Sequence, residues 1–332
     1  MRVVQIMRKP NGAAFSMEHL FEDIRKELPP DVRVETYTNP YASRGLWRRV
    51  MGMVRVVWHQ GDVNHVTGDI HFLNILLQRN KTILTIHDCV TLERLEGFKY
   101  QILRFFWYWL PAKRSAAVTV ISESTKKELL RHLGKGSWPI TVIPNFVSPD
   151  FELSQKPFNC ACPVILQIGT KSNKNIERVA AALAGLRCKM IIVGKLKPSQ
   201  IVALEVSKID YENYCGISRK SLIGHYQNCD IVMLASLYEG FGLPILEGQA
   251  VGRPVITSNL YSMPDVGGDG ACYVDPFNVS DIRRALNRII DCADFREKLI
   301  ASGLKNVENY RLGNVASQYA KLYEQVYLGV NA

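Results

Sequence analysis

The chain contains no run of 18 or more apolar residues, so it offers no segment long enough for a membrane-spanning helix. Its first residues, MRVVQIM, lack the charged, apolar and small-residue succession of a secretion leader and read as a buried strand. A cytoplasmic location is therefore expected, with a peripheral position on the inner face of the plasma membrane as its variant. The eight cysteines, at 89, 160, 162, 188, 215, 229, 272 and 292, form no C-x-x-C pair and have no histidine at zinc-finger spacing, and reduced, mostly buried thiols are expected. No G-x-G-x-x-G is present, which removes the fingerprint of a dinucleotide-binding site. Acidic residues are in deficit, 31 against 41 basic. Most of the resulting +10 lies in residues 1–150, which carry +7. Nucleic acid, an anionic bilayer or a phosphorylated substrate would each feel that field. The lack of a zinc module, an RNP motif or a basic run argues against nucleic acid.

What is present is enough apolar material, 47% of 332 residues, for two domains with separate cores. Short Val/Ile/Leu runs recur with helical stretches between them: VVQIM, VRVETY, DVNHV, TILTIH, AVTVIS and ITVIP. The series restarts after PDFELSQKPFNCACP with VILQIG, MIIVG, DIVMLA, PVITS and ACYVD. Such runs indicate parallel strands covered on both faces. The expected fold is α/β, with Rossmann-like domains at 1–155 and 156–310 and an interdomain cleft. Residues 311–332 form an amphipathic helix, with Val315, Tyr319, Leu322, Tyr323 and Val326 on one face, returning to the first domain. Ligands of open parallel sheets lie beyond the carboxyl ends of the strands, so chemistry is sought in the loops there.

The segment LASLYEGFGLPILEGQAVGRPVITSN follows a strand and opens a helix. Gly240 and Gly242 allow close backbone approach, Pro244 suits a first helical turn, and unpaired amides there can face a phosphate. Glu239 and Glu247 lie eight positions apart, placed for different hydroxyls of one extended ligand; each hydrogen bond to a charged group contributes about 1.5–3 kcal/mol. Glu239 and Glu247, with GFGLPIL between them, resemble the E-x7-E motif of retaining glycosyltransferases of family four. GRPVITSN and SMPDVGGDGACYVDP are also similar to that family, as are VISESTKKELL and VIPNFVSPDF. The resemblance implies the GT-B fold. It also implies that Glu239 contacts the transferred sugar, that Glu247 holds the ribose, and that the amides of Gly240, Phe241, Gly242 and Leu243 contact sugar and phosphate.

Further matches follow. In IGTKSNKNIERVAAAL, Gly169, Thr170, Lys171 and Lys174 can converge on a diphosphate at a helix start. The stretch resembles the family's G-T-x-x-x-R-K-N, with Lys174 and Asn175 matching, Asn173 where Arg is usual, and Lys171 the candidate substitute cation. His87, in TIHDC, resembles the family histidine that contacts the donor sugar, and as a strand-end imidazole it can donate to a hydroxyl or a phosphate oxygen. Gly12, in PNGAAFSMEHL, resembles the glycine-rich first loop, with Ala13 in place of its usual second glycine. Ile217 lies in CGISRKSL, where the resemblance places recognition of the base. His65 and His71 are weaker candidates for acceptor contacts.

The resemblance thus implies a retaining hexosyltransferase in surface polysaccharide or glycolipid biosynthesis. A nucleoside-diphosphate sugar is the donor and a saccharide or lipid-linked molecule the acceptor, with neither cofactor nor metal required. His87, Glu239 and Lys174 would carry the catalysis. A GT-B epimerase or a non-catalytic sugar-nucleotide-binding subunit are the alternative readings. YASRGLWRRVMGMVRVVWHQ combines Trp47, Met51, Val54 and Trp58 with Arg44, Arg48, Arg49 and Arg55, which suits either an interfacial helix on anionic lipid or a domain helix with solvated arginines. KYQILRFFWYWLPAKR is expected to be a core-packing helix.

Overall fold

The computed structural model describes residues 1–9, 16–41, 45–93, 95–134 and 138–330. Gly12, Ala13 and Arg44 lie outside them. The chain divides into two compact units, Met1–Phe146 with Leu312–Ala332, and Val147–Arg311.

The first unit is built on six strands, β1 (Arg2–Met7), β2 (Arg33–Thr38), β3 (Val63–Val66), β4 (Thr82–Ile86), β5 (Ala117–Val120) and β6 (Ile140–Val142). They pair in parallel in the order β2-β1-β3-β4-β5-β6. Strands β3, β4 and β5 are buried at every position, as the unbroken apolar runs predict for a sheet covered on both faces. The helix Leu312–Leu328 belongs to this unit. Its Val315, Tyr319, Leu322, Tyr323 and Val326 are buried in a core with Val3, Phe21, Ile24, Val63 and Ile83.

The second unit carries β7 (Val164–Ile168), β8 (Lys189–Val193), β9 (Asp210–Tyr214), β10 (Ile231–Leu234), β11 (Val255–Ser258) and β12 (Ala271–Val274). Their order is β12-β11-β10-β7-β8-β9, again all parallel. Strand β9, DYENY, is absent from the apolar series because it is the sheet edge. One side of its ladder is open, and no position in it is fully buried, so polar residues are tolerated there. The order reverses between β7 and β10: the chain runs outward through β8 and β9, then returns to pair β10 with the other side of β7. The loops after β7 and β10 are thereby neighbours at a topological switch point, the place where open α/β sheets bind ligands.

Two expectations are corrected. Cys89, Cys188, Cys229 and Cys272 are buried, but Cys160, Cys215 and Cys292 are exposed and Cys162 is half-buried; all eight are free thiols. The helical stretch from Gly97 to Lys113, with a π-helical turn at Arg104–Trp109, packs only one side on the core. Phe98, Ile102, Phe105 and Phe106 remain exposed. Among the described residues no helix is long and apolar enough to cross a membrane.

Candidate active site

Where β7 ends, Gly169 takes a left-handed φ of 85°, and a Cβ there would lie 2.9 Å from Lys174 Cε. A side chain at 169 would both strain the backbone and displace the lysine. The loop then makes a short turn over Ser172–Lys174, whose Lys174 amide donates to Lys171 O at 2.9 Å. Asn175, itself left-handed at φ 58°, starts the helix Ile176–Leu183. Its buried amide donates to Ala235 O at 3.0 Å and Pro276 O at 2.8 Å, which fastens the β7 loop to the end of β10.

The loop after β10 is held in turn. Leu237 N donates to Asn173 O at 2.8 Å, and Asn173 Nδ2 donates to Tyr238 O at 2.8 Å and to Glu239 Oε1 at 3.4 Å. The Ser262 hydroxyl lies 2.8 Å from Glu239 O and 2.9 Å from Phe241 O. Gly242, at φ 103°, caps the helix Leu243–Ala250, with Pro244 in its first turn. The result is an ion pair: Lys174 Nζ is 2.6 Å from Glu239 Oε1, with side chains only 13% and 14% exposed. A cation and a carboxylate thus stand together at the switch point, flanked by the starts of two helices.

Glu247 lies one turn further along its helix. Tyr226, fully buried in the helix Arg219–Asn228 with its ring edge-on to Phe151, donates its phenol hydrogen to Glu247 Oε2. Burial raises the Glu247 carboxyl above its ordinary pKa, while the Tyr226 hydrogen bond and the charges of Arg219 and Lys174 pull it back. The Tyr226 phenol is pushed well up by burial and by Glu247. Sequence reading missed Tyr226, since one aromatic in a helix looks like any core residue; the only signal was its place in the segment SLIGHYQN preceding β10.

The remaining candidates are dispersed. Thr170 turns away, donating to Lys195 O at 2.7 Å while its own carbonyl accepts from Gln200 Nε2 at 3.0 Å. These two bonds hold the shape of the loop. Lys171 is exposed and makes no ion pair among the described residues. Gly240 adjoins Glu239 in the same loop, and Ile217 is half-buried in the separate loop between β9 and the Arg219–Asn228 helix. Among the described residues no three His, Cys, Asp or Glu side chains gather as a metal site would require.

In the first unit His87 follows β4, and its Nε2 is 2.8 Å from Thr67 O. A carbonyl partner means that Nε2 carries the hydrogen, so in the neutral ring, which burial favours, Nδ1 is an acceptor. This revises the expected donation: neutral His87 can accept from a sugar hydroxyl, and only the protonated ring can donate to a phosphate. The acceptor roles expected of His65 and His71 do not fit. His65 is enclosed, 2.8 Å from Tyr323 Oη and 2.7 Å from Thr85 Oγ1, and burial lowers its pKa to about 3. His71 Nδ1 binds Trp107 O at 2.9 Å, and burial lowers its pKa to about 4.

Comparison with known proteins places this geometry. The family described as glycosyl transferases group 1 matches residues 152–306, and that described as glycosyltransferase family 4 matches residues 12–151. A serotype-specific mannosyltransferase of Escherichia coli, WbdA, is 25% identical over 265 residues, covering 71% of this chain but 32% of that protein, so the chain spans about a third of that relative's length. An N,N'-diacetylbacillosaminyl-diphospho-undecaprenol alpha-1,3-N-acetylgalactosaminyltransferase of Campylobacter jejuni is 25% identical over 253 residues, 70% of this chain and 67% of that one. The crystal structure of Anabaena Alr3699/HepE in complex with UDP and glucose aligns over 98% of this chain and 100% of its own, with 15% identity and a TM-score of 0.75, which shows a shared fold. The two family matches together span residues 12–306, and the chain belongs to the family-four, group 1 glycosyltransferases, with the GT-B fold.

Proposed function

We propose that this protein transfers a hexose-type residue from a nucleoside-diphosphate sugar to a saccharide or lipid-linked acceptor, with retention at the anomeric carbon, in the assembly of surface polysaccharide or glycolipid on the cytoplasmic side. The observation that carries the reading is the Lys174–Glu239 pair at the switch point of the second sheet. An ammonium there balances charge that develops on a departing phosphate, and a carboxylate beside it accepts from sugar hydroxyls. The mannosyl- and N-acetylgalactosaminyltransferase activities named for the relatives, one on a diphospho-undecaprenol-linked acceptor, support the classes of donor and acceptor.

In this reading the helix amides at Gly242 and Asn175 and Lys174 Nζ receive the diphosphate, and Glu247 accepts from the ribose diol. Glu239 orients the sugar and does not attack it. The bond from C1 to the leaving phosphate oxygen breaks as the acceptor oxygen bonds to C1 on the same face, and the leaving phosphate oxygen takes the acceptor proton. Lys174 and the amides supply the positive field for that departure, so the reaction is proposed to run without a metal.

A thermal-shift series with UDP, GDP, ADP, TDP and CMP, each with and without magnesium, tests the donor class. A dose-dependent shift by one diphosphate, unchanged by magnesium, is expected. Turnover of the matching sugar nucleotide, with the product's anomeric configuration read by NMR, tests retention. Inversion would remove the proposed roles of Glu239 and of the leaving phosphate, and indifference to every nucleotide would overturn the donor site.

A further inference from the structure

Tyr261 holds a backbone conformation that its side chain disfavours. Its φ is 52°, and among the described residues only two other non-glycines, Asn175 and Lys208, are left-handed. Asparagine tolerates that region through its short polar side chain, whereas a bulky aromatic residue rarely enters it. Tyr261 stands in the loop that leaves β11 for the helix Met263–Gly267, and the residues around it pin that loop. Met263 N donates to Leu260 O at 3.2 Å, closing the turn about Tyr261, and the fully buried Ser262 reaches Glu239 O and Phe241 O. With Ser262 turned inward, Tyr261 is left 45% exposed. Strain of this kind persists where the surroundings over-determine it, and it gathers at ligand sites. Core packing does not account for it here, because a ring so open to water adds little to a core.

A second ring completes the feature. The Tyr238 ring lies 4.7 Å from that of Tyr261, centre to centre, tilted by 58°. Tyr238 is half-buried and immediately precedes Glu239, and its carbonyl accepts from Asn173 Nδ2. The Ser258 hydroxyl, 2.6 Å from Ser236 O, ties β11 to the same loop. The two tyrosines are thus fixed beside the Lys174–Glu239 pair. Their place along the sheet says what they meet. The strands run in the order β11-β10-β7-β8-β9, and the loops at their carboxyl ends follow that order. On the proposed donor placement the base lies by Ile217 after β9, the diphosphate at the β7 and β10 loops, and the transferred sugar at Glu239. The tyrosines stand one strand further on, away from the base, on the side left for the second substrate. A pyranose offers a face of C–H groups that packs on the negative face of an aromatic ring, while its hydroxyls at the rim can reach a phenol oxygen.

We infer that Tyr238 and Tyr261 form an aromatic platform that receives a pyranose ring of the acceptor, with Tyr261 setting which saccharide is taken. The assignment to the acceptor rests on the proposed sugar transfer; the platform itself is tested by saccharide binding alone.

The test is saturation-transfer-difference NMR of the full chain titrated with the methyl α-glycosides of mannose, glucose, galactose and N-acetylgalactosamine, without nucleotide and with each diphosphate of the thermal-shift series. One glycoside should be saturated chiefly through the protons of one ring face. Tyr261→Phe, which keeps the ring, should hold its affinity within twofold. Tyr261→Asn, which removes the ring and suits the left-handed backbone, should lose at least fivefold while its melting temperature stays equal or rises. Nucleoside-diphosphate affinity should stay within twofold in both variants. The platform is overturned if wild type saturates no glycoside, if binding survives Tyr261→Asn, or if that variant melts lower, which would make the ring a packing residue. Should this happen with nucleotide binding intact, the transfer reading still stands; saccharide binding lost with the ring in a protein that binds no nucleotide would keep the platform and remove the transfer reading. If Tyr261→Asn weakens GDP-mannose or UDP-N-acetylgalactosamine more than the matching free diphosphate, the rings hold the transferred sugar and the acceptor assignment is overturned.

Discussion

Lys174 and Glu239 are 65 positions apart in sequence, yet their charged ends meet at 2.6 Å in a site where both side chains are mostly withdrawn from water. The two loops themselves hold the pair together, so a bound donor would exchange one partner for another instead of recruiting solvated charges. The ammonium would pass to phosphate and the carboxylate to sugar hydroxyls. Lys174→Ala should therefore lower kcat by about 100- to 1000-fold, the cost of removing one donor aimed at developing charge. Single-turnover transfer measures this. A loss confined to KM would assign Lys174 to ground-state binding alone.

The Tyr226–Glu247 hydrogen bond leads to a second prediction. Removing the phenol in Tyr226→Phe deprives Glu247 of a donor that fixes its orientation and lowers its pKa. Nucleoside-diphosphate affinity should fall about tenfold, near 1.4 kcal/mol. A 2′-deoxynucleoside diphosphate, which lacks half the diol, should lose much less on the same substitution. Isothermal titration of both ligands against both proteins decides it; equal losses would place Tyr226 in packing only.

The raised Glu247 carboxyl has a pH consequence with two opposite signs. In its proposed role Glu247 binds the ribose as the charged carboxylate, so nucleotide affinity should fall on acidification through the raised pKa, earlier than for an ordinary glutamate. Folding runs the other way: between the ordinary and the raised value the native state holds a proton that the unfolded chain has released, so stability declines as pH rises through that window. Nucleotide affinity and the hydrogen-exchange protection of the β7 and β10 amides, which reports this unit apart from the buried histidines of the other, should thus move in opposite directions across mildly acidic pH in wild type, and neither trend should persist in Glu247→Gln.

Much of this was legible because it is local. The apolar runs of β1, β3, β4, β7 and β10 mark buried parallel strands wherever they occur, and the Glu239 to Glu247 segment declares its loop and helix by Gly242 and Pro244. Strand β9 was not legible, since a sheet edge has no apolar requirement. Nor were the long-range partnerships. That Asn175 fastens the end of β10, or that Tyr226 meets Glu247, depends on the strand order β10-β7-β8-β9, which no single segment encodes. His65 misled for the same reason: its place near a strand end suggested a ligand contact, but the distant Tyr323 encloses it.

Asn173 shows how a departure from the expected pattern was absorbed. It stands where the family resemblance would put an arginine, and its amide bridges Tyr238 O and Glu239 Oε1. On the proposed role of Glu239, Asn173 would act through it as a positioning residue. Asn173→Ala should reduce kcat about fivefold to tenfold, consistent with about 1 kcal/mol for one hydrogen bond, and leave UDP-type affinity within twofold. A matched fall in affinity for the free nucleoside diphosphate would mean that Asn173 touches the ligand itself.

The buried histidines of the first unit set its acid limit. His65 is held neutral in the folded state, its pKa lowered from 6.5 to about 3 by burial and, less, by His87. The unfolded chain therefore binds a proton near pH 6.5 that the native state refuses until about pH 3, and stability must fall as pH drops through that interval. At pH 5 this one group should cost about 2 kcal/mol relative to pH 7, and His71, lowered to about 4 by burial, adds in the same direction. Hydrogen exchange of the β3 and β4 amides, which reports this unit separately from the other, should accelerate accordingly between pH 7 and pH 5 after correction for intrinsic rates. His65→Gln keeps a polar group in the Tyr323–Thr85 bridge but cannot titrate. It should lower protection at pH 7 and yet show a smaller further loss at pH 5, because its unfolded state no longer takes up that proton. An unchanged pH dependence in the variant would mean that His65 is protonated in place without opening the core.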